Sequence, residues 1–162
     1  MIQIAHYSEA HQQSVIDLIL GIQQNEFNIP ITLADQPDLL TIPSFYCQNK
    51  GAFWVALNEG QVVGTIALID IGDQMGAIRK MFVHQDFRGK ELGIATLLLN
   101  AMLEHCRQHG LTAIYLGTLP RLQAAMRFYE KNGFVQLPKS TLPPQFPAMA
   151  LDTVFYEYKI AG

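Results

Sequence analysis

Charge is what this 162-residue chain has least of. Asp, Glu, Lys and Arg make up 15% of it, against roughly 25% in an ordinary soluble domain. The 11 basic residues are outnumbered by 14 acidic ones. A strongly basic face of the kind that grips a polynucleotide is missing, so no nucleic-acid partner is expected. Cysteine is scarce as well. Cys47 and Cys106 stand far apart and in no metal-ligand spacing, which argues for two reduced thiols and against a disulfide scaffold. No metal is expected. Residues 1–6 lack a charged region leading into a long apolar run, so no secretory leader is read. The apolar stretches are too short and too interrupted to span a bilayer. These absences point to a cytoplasmic protein with no membrane partner.

What is present is apolar. Hydrophobic residues make up 49% of the chain, which excludes a disordered polymer. The excess implies a large core or apolar surface reserved for a ligand or partner, and it is compatible with a homodimer. The length fits one domain spanning 1–162.

Gly and Pro cut the chain into short elements. Residues 2–7 alternate as a strand. Ser8 then suits a helix N-cap, and Val15, Ile16, Leu18, Ile19 and Ile22 form an apolar helical stripe. Residues 25–49 hold Pro30, Pro37 and Pro43 and are predicted as short helices between turns. Residues 52–57 and 61–69 are β-branched and aromatic runs joined by Asn58-Glu59-Gly60, a hairpin signature. A third strand is predicted over 76–83. A long helix over 92–109, a buried strand over 112–117, a helix over 121–132, and strands from 134 and over 153–160 complete the pattern. The order βα(α)βββαβαββ describes a mixed α/β sheet with helices on both faces.

The stretch from Val83 to Ala95 reads Val-His-Gln-Asp-Phe-Arg-Gly-Lys-Glu-Leu-Gly-Ile-Ala. A strand ends, a basic turn with glycine follows, and a helix starts. The start of a helix offers unpaired N–H groups and the positive end of its dipole. Gly89 and Gly93 leave the backbone approachable, and Arg88 and Lys90 add positive charge. That combination suits a phosphate or diphosphate; an ordinary helix start whose glycines serve the turn uses the same residues. Neither common nucleotide fingerprint, Gly-x-x-x-x-Gly-Lys-Ser/Thr or Gly-x-Gly-x-x-Gly, is present.

The turn resembles motif A of the GNAT family of N-acetyltransferases, Arg/Gln-x-x-Gly-x-Gly/Ala, which cradles the pyrophosphate of acetyl-CoA. Arg88 and Gly93 match, while Glu91 stands where the first Gly is usual. A carboxylate there is tolerated when it points to solvent, because the cradle is mainly backbone N–H. Residues 124–134, Ala-Ala-Met-Arg-Phe-Tyr-Glu-Lys-Asn-Gly-Phe, resemble motif B, Ala-x-x-x-Tyr-x-Lys-x-Gly-Phe. From these two motifs and the strand between them the chain is identified as a member of that family. The likeness covers roughly 53–134 by motif and order, and the remainder by topology.

The resemblance implies a mostly antiparallel sheet split by a V-shaped cleft. It implies acetyl-CoA as cosubstrate and direct acetyl transfer to a primary amine in a ternary complex. The backbone of Met81, Phe82 and Val83 would hold the pantetheine arm as a pseudo-strand. Arg88, Gly89, Lys90, Glu91, Leu92, Gly93, Ile94 and Ala95 would hold the pyrophosphate, and Phe128 and Tyr129 would border the cofactor. Tyr129 matches the general acid of the family: a phenol near pKa 10 can protonate a leaving thiolate whose acid lies near 8.5. A tyrosine that only packs against the cofactor fits the position too.

No carboxylate lies on the strand before motif A, which reads Ile78-Arg79-Lys80-Met81. Strand alternation puts Arg79 and Lys80 on opposite faces. If either faces the acceptor, it favours a substrate with a carboxylate or phosphate; a solvated charge is the other reading. Glu26, Asp70, Asp73 and His84 are the candidate bases, Glu26 foremost. The proline-rich loop 137–149, with Phe146, is expected to border the acceptor site together with residues 25–27 and Tyr46. A small amine is the expected acceptor. Two other readings stay open: a regulatory acetyltransferase acting on protein or peptide amines, and a non-catalytic acyl-CoA-binding module.

Overall fold

The computed structural model describes residues 1–89 and 91–160. Seven strands form one sheet: β1 (Ile2–His6), β2 (Ala52–Asn58), β3 (Gln61–Gly72), β4 (Met75–Val83), β5 (Ala113–Thr118), β6 (Val135–Leu137) and β7 (Val154–Lys159), in the order β1-β2-β3-β4-β5-β7-β6. All neighbours are antiparallel except β4 and β5. The helices are α1 (Gln12–Leu20), α2 (Ile42–Tyr46), α3 (Ile94–Gln108) and α4 (Gln123–Lys131). The predicted mixed fold is the observed one. The long helix starts two residues later than its pattern suggested, after Gly93, and ends before Gly110, whose φ of 75° turns the chain out of the helix.

Alternation along β2 explains why both faces carry helices. Trp54 and Ala56 join Ile66, Leu98, Met102 and Cys106 under α3, whereas Phe53 and Val55 join Val15, Ile19, Leu39 and Ile42 under α1 and α2. The hairpin between β2 and β3 turns through Glu59 and Gly60, both at positive φ, the geometry that matches strand twist. The two thiols are unbridged: Cys106 is core and Cys47 is exposed.

Two irregularities build the site. First, α1 runs on as a wider π-type turn over Gly21–Glu26, in which Phe27 N–H reaches back to the Ile22 carbonyl at 3.1 Å. Such bulges are rare, and frequently lie at functional sites. Second, β4 carries a β-bulge. Thr65 faces Phe82 and Ala67 faces Arg79, so Lys80 and Met81 together oppose Ile66. Lys80 takes the left-handed region at φ 52°, a conformation that strains a residue with a Cβ. The buried Thr65 hydroxyl holds it by donating to the Lys80 carbonyl at 2.6 Å. A bulge bends its strand. β4 pairs with β5 only over Met75, Gly76 and Ala77, and from Ile78 onward the two strands part. This is the V-shaped cleft.

Candidate active site

The parted strands wall a cavity of about 490 Å³, within the roughly 300–1,000 Å³ usual for small-molecule sites. Ile78 to Phe82 form one wall and Leu116, Gly117 and Thr118 the other. Tyr129 from α4, Gln23 and Gln36 from the segment after α1, and residues 149–152 before β7 close it.

The bulge overturns the expectation that Arg79 and Lys80 point apart. The extra residue breaks the two-residue alternation, and both residues line this cavity. Neither is a solvated charge. The Arg79 guanidinium donates to the Pro147 carbonyl. The Lys80 ammonium donates to the Gln36 side-chain carbonyl and lies 3.6 Å from Asp38, and both side chains of that ion pair are nearly buried (7% and 11% exposed). Gln23 and Gln36 exchange amide hydrogen bonds at 2.9 and 3.2 Å. The Tyr46 hydroxyl donates to Asp38. Burial pulls the Lys80 pKa down, and Asp38 opposes the shift. Burial first, and the Asp38 charge second, push the Tyr46 phenol up. A buried polar network of this kind is stable only while each member keeps its partner.

Tyr129 is buried and lines the cavity. Its ring packs against Phe134 and Tyr156. Burial raises its pKa, with the Asp152 charge the next cause, so the phenol holds its proton at neutral pH. Asp152 was not on the sequence list of candidates. Its carboxylate lies so close to Gly117 that a Cβ at residue 117 would stand 2.6 Å from Asp152 Oδ2. Nothing in the spacing of the chain reveals this, since residues 117 and 152 meet only through the pairing of β5 with β7.

The motif A turn follows β4. A short helical turn over Gln85–Phe87 is capped by His84, whose Nδ1 accepts the Asp86 N–H at 3.1 Å. Gly89 has φ 120°, and a Cβ there would meet nothing within 4 Å. Gly93 enters α3 in the left-handed region, with no side-chain cap on the helix start. The first-turn N–H groups of α3 therefore have no capping side chain, and this arrangement fits a pyrophosphate. Glu91 and Leu92 are exposed, Ala95 is half-buried, and Ile94 turns its side chain into the core. Lys90 lies outside the described residues. Arg88 does not stand open beside the turn. It grips Glu26 with two hydrogen bonds, one of them at 2.8 Å, and donates from Nε to the Val83 carbonyl at 2.8 Å.

That grip changes the reading of Glu26. Its carboxylate is committed to Arg88 and lines a separate hollow with Asp17 and His84, not the large cavity. The other candidate bases are also engaged: Asp70 accepts the Lys50 and Gly72 N–H groups, and Asp73 accepts from Gln145. Met81 and Phe82 line the cavity. Val83 and Phe128 pack against the core under α3. Phe146 and Tyr46 are core residues, 8% and 1% exposed. Phe146 sits edge-on to Phe155, so the lip of the cavity is 149–152 and not the apolar middle of the loop.

Residues 19–134 match the family model described as Acetyltransferase (GNAT) family. The chain belongs to the GNAT family. The GNAT chain is 33% identical over 128 residues to the probable N-acetyltransferase camello of Xenopus tropicalis, a match covering 76% of this chain and 57% of that protein. It is 37% identical over 99 residues to the N-acetylaspartate synthetase of Danio rerio, covering 60% of this chain and 34% of that one. It thus spans between a third and just over half of the length of these relatives. A GNAT-family acetyltransferase from Staphylococcus aureus Mu50, solved by crystallography, superposes with a TM-score of 0.96 at 38% identity, over 99% of this chain and 100% of the other. No helix among the described residues is long and apolar enough to cross a membrane.

Proposed function

We propose that this protein is an acetyl-CoA-dependent N-acetyltransferase whose acceptor is a small amine that also carries a carboxylate, of the amino-acid type. The observation that carries the reading is the charge arrangement of the cavity. Lys80 is neutralised by Asp38. Arg79 uses one N–H on a carbonyl and keeps donors for an anion, because a guanidinium has five. Asp152 supplies negative charge on the same lining. One cation and one anion facing a shared space fit a zwitterion better than a polyamine or an apolar amine. The likeness to N-acetylaspartate synthetases supports the same acceptor class.

When bound, acetyl-CoA supplies an activated acetyl group. The backbone of the turn around Gly89 and Glu91 and of the first turn of α3 would hold its pyrophosphate, and the strandless edge of Met81 and Phe82 would hold its arm. Arg79 orients the acceptor by its carboxylate. Tyr129 keeps its proton, because burial in an apolar wall disfavours the phenolate. It is the proton donor for a leaving thiolate. The Gln23–Gln36–Lys80 network ties the segment after α1 to β4.

The test is an acceptor screen with acetyl-CoA that follows free thiol. Amino acids should turn over and polyamines should not. Tyr129→Phe should lower kcat by roughly 10²-fold or more with the acceptor KM little changed. Equal kcat in that variant removes Tyr129 from the chemistry.

A further inference from the structure

Asp152 is a carboxylate in an unusual position. It is half-buried beside the cavity, and among the described residues it makes no ion pair with Lys, Arg or His. The carboxylates of Asp38, Glu26 and Glu157 all have a cation or a phenol on them, and Asp152 has neither. Its backbone N–H closes a turn on the Met149 carbonyl at 3.1 Å, and Thr153 N–H binds the Thr118 carbonyl at 3.1 Å. The residue is thus held by a turn on its N-terminal side and tied to the end of β5 on its C-terminal side. Gly117 makes room for it, as any Cβ there would displace the carboxylate. The charged groups facing it are Arg79 and Lys80 from β4, with Tyr129 from α4 electrostatically coupled. A partly buried anion without a direct cation, held rigidly on a ligand cavity, is a binding place for a cation.

We propose that Asp152 receives the acceptor's ammonium group and takes one proton from it, leaving the neutral amine that attacks. The transfer balances as R–NH₃⁺ and a carboxylate giving R–NH₂ and a carboxylic acid; the acid later returns its proton to water through the cavity mouth. The proposal rests on the acetyltransferase reading above. It fills the role for which β4 offers no carboxylate and for which Glu26 is engaged elsewhere. Burial raises the Asp152 pKa above the ordinary carboxylate range, and Arg79 opposes the shift. A base of this sort is stronger than a solvated carboxylate, and the facing Arg79 and Lys80 favour its charged form.

The experiment compares the wild type with Asp152→Asn, nearly isosteric, and with Gly117→Ala, which shifts the carboxylate while keeping its charge. The rate is measured from pH 6 to 10 on the amino-acid panel. Acceptor affinity in the absence of acetyl-CoA and affinity for CoA alone are measured by calorimetry. At neutral pH Asp152→Asn should lose about 10²–10⁴-fold in kcat/KM, and the loss should shrink by roughly tenfold per pH unit toward the pKa of the acceptor amine, where the substrate is already neutral. Its affinity for the acceptor should fall and its affinity for CoA should not. Gly117→Ala should follow the same pH trend with a smaller loss. Wild-type turnover combined with a pH-independent loss in Asp152→Asn, or with unchanged acceptor affinity, overturns the proposal alone. A wild type that turns over no amino acid at any pH overturns the acceptor reading, and the proposal with it.

Discussion

The turn proposed for the phosphates and the cavity proposed for the acceptor both adjoin strand β4, yet they are assembled in different ways. The turn comes from one continuous stretch, residues 83–95. What it offers is backbone: glycines at positive φ and the open end of α3. The cavity draws Gln23, Arg79, Tyr129 and Asp152 from four separate regions of the chain, and what it offers is side chains. Recognition by backbone needs a local conformation, which a few glycines in the right spacing specify. Recognition by side chains needs long-range register, which a strand bulge and a late strand pairing supply.

The largest expected effect on ligand affinity falls on the turn. Gly93→Glu places a side chain in the left-handed region and a negative charge at the helix start. CoA affinity by calorimetry should fall roughly 100-fold or more, about 2.7 kcal/mol. Gly93→Asn, which tolerates that backbone, should stay within about tenfold of wild type. Unchanged affinity in Gly93→Glu would mean that the cofactor's phosphates bind elsewhere and the contrast between the two regions dissolves.

Next comes the cavity floor. Lys80→Met leaves the nearly buried Asp38 carboxylate without its cation, and breaking such a pair costs about 3–5 kcal/mol. Denaturant unfolding should register that loss. Asp38→Asn added to Lys80→Met should recover most of it, because an uncompensated charge and not the missing contact is the main penalty. Wild-type stability in the single variant would show that the network does not hold the wall.

The smallest effect is the most specific. Arg79→Met should raise the acceptor KM about tenfold, near 1.4 kcal/mol, and leave the KM for acetyl-CoA as it was. An unchanged acceptor KM would remove the carboxylate from the acceptor's description.

Much of the fold was legible. The β2–β3 hairpin, the α3 stripe and the glycines after α3 and α4 are local signals, and the strands and helices stand where periodicity put them. The family came from two short motifs with their spacing. The polar half of the site was not legible. Arg79 and Lys80 were visible as charges, but alternation misassigned their faces because no local signal marks a bulge at Lys80. Thr65, whose hydroxyl holds that bulge, lies 15 residues away. Phe146 looked like a lip residue because it sits in a long proline-rich loop before the last strand; β4, β5 and β7 instead offer it an apolar floor of Ala77, Tyr115 and Phe155. Glu26 looked free because its partner Arg88 is 62 residues distant.

The order of elements, the turn at the start of α3 and the tyrosine at position 129 follow from the chain's own pattern, since each depends on neighbours within a few residues. Which charges meet in the cavity depends on three events far apart in sequence: the bulge in β4, the parting of β4 from β5, and the return of β7 beside β5. Only the folded sheet brings Arg79, Tyr129 and Asp152 to one space, because side-chain direction is set by register and register is set by the whole sheet.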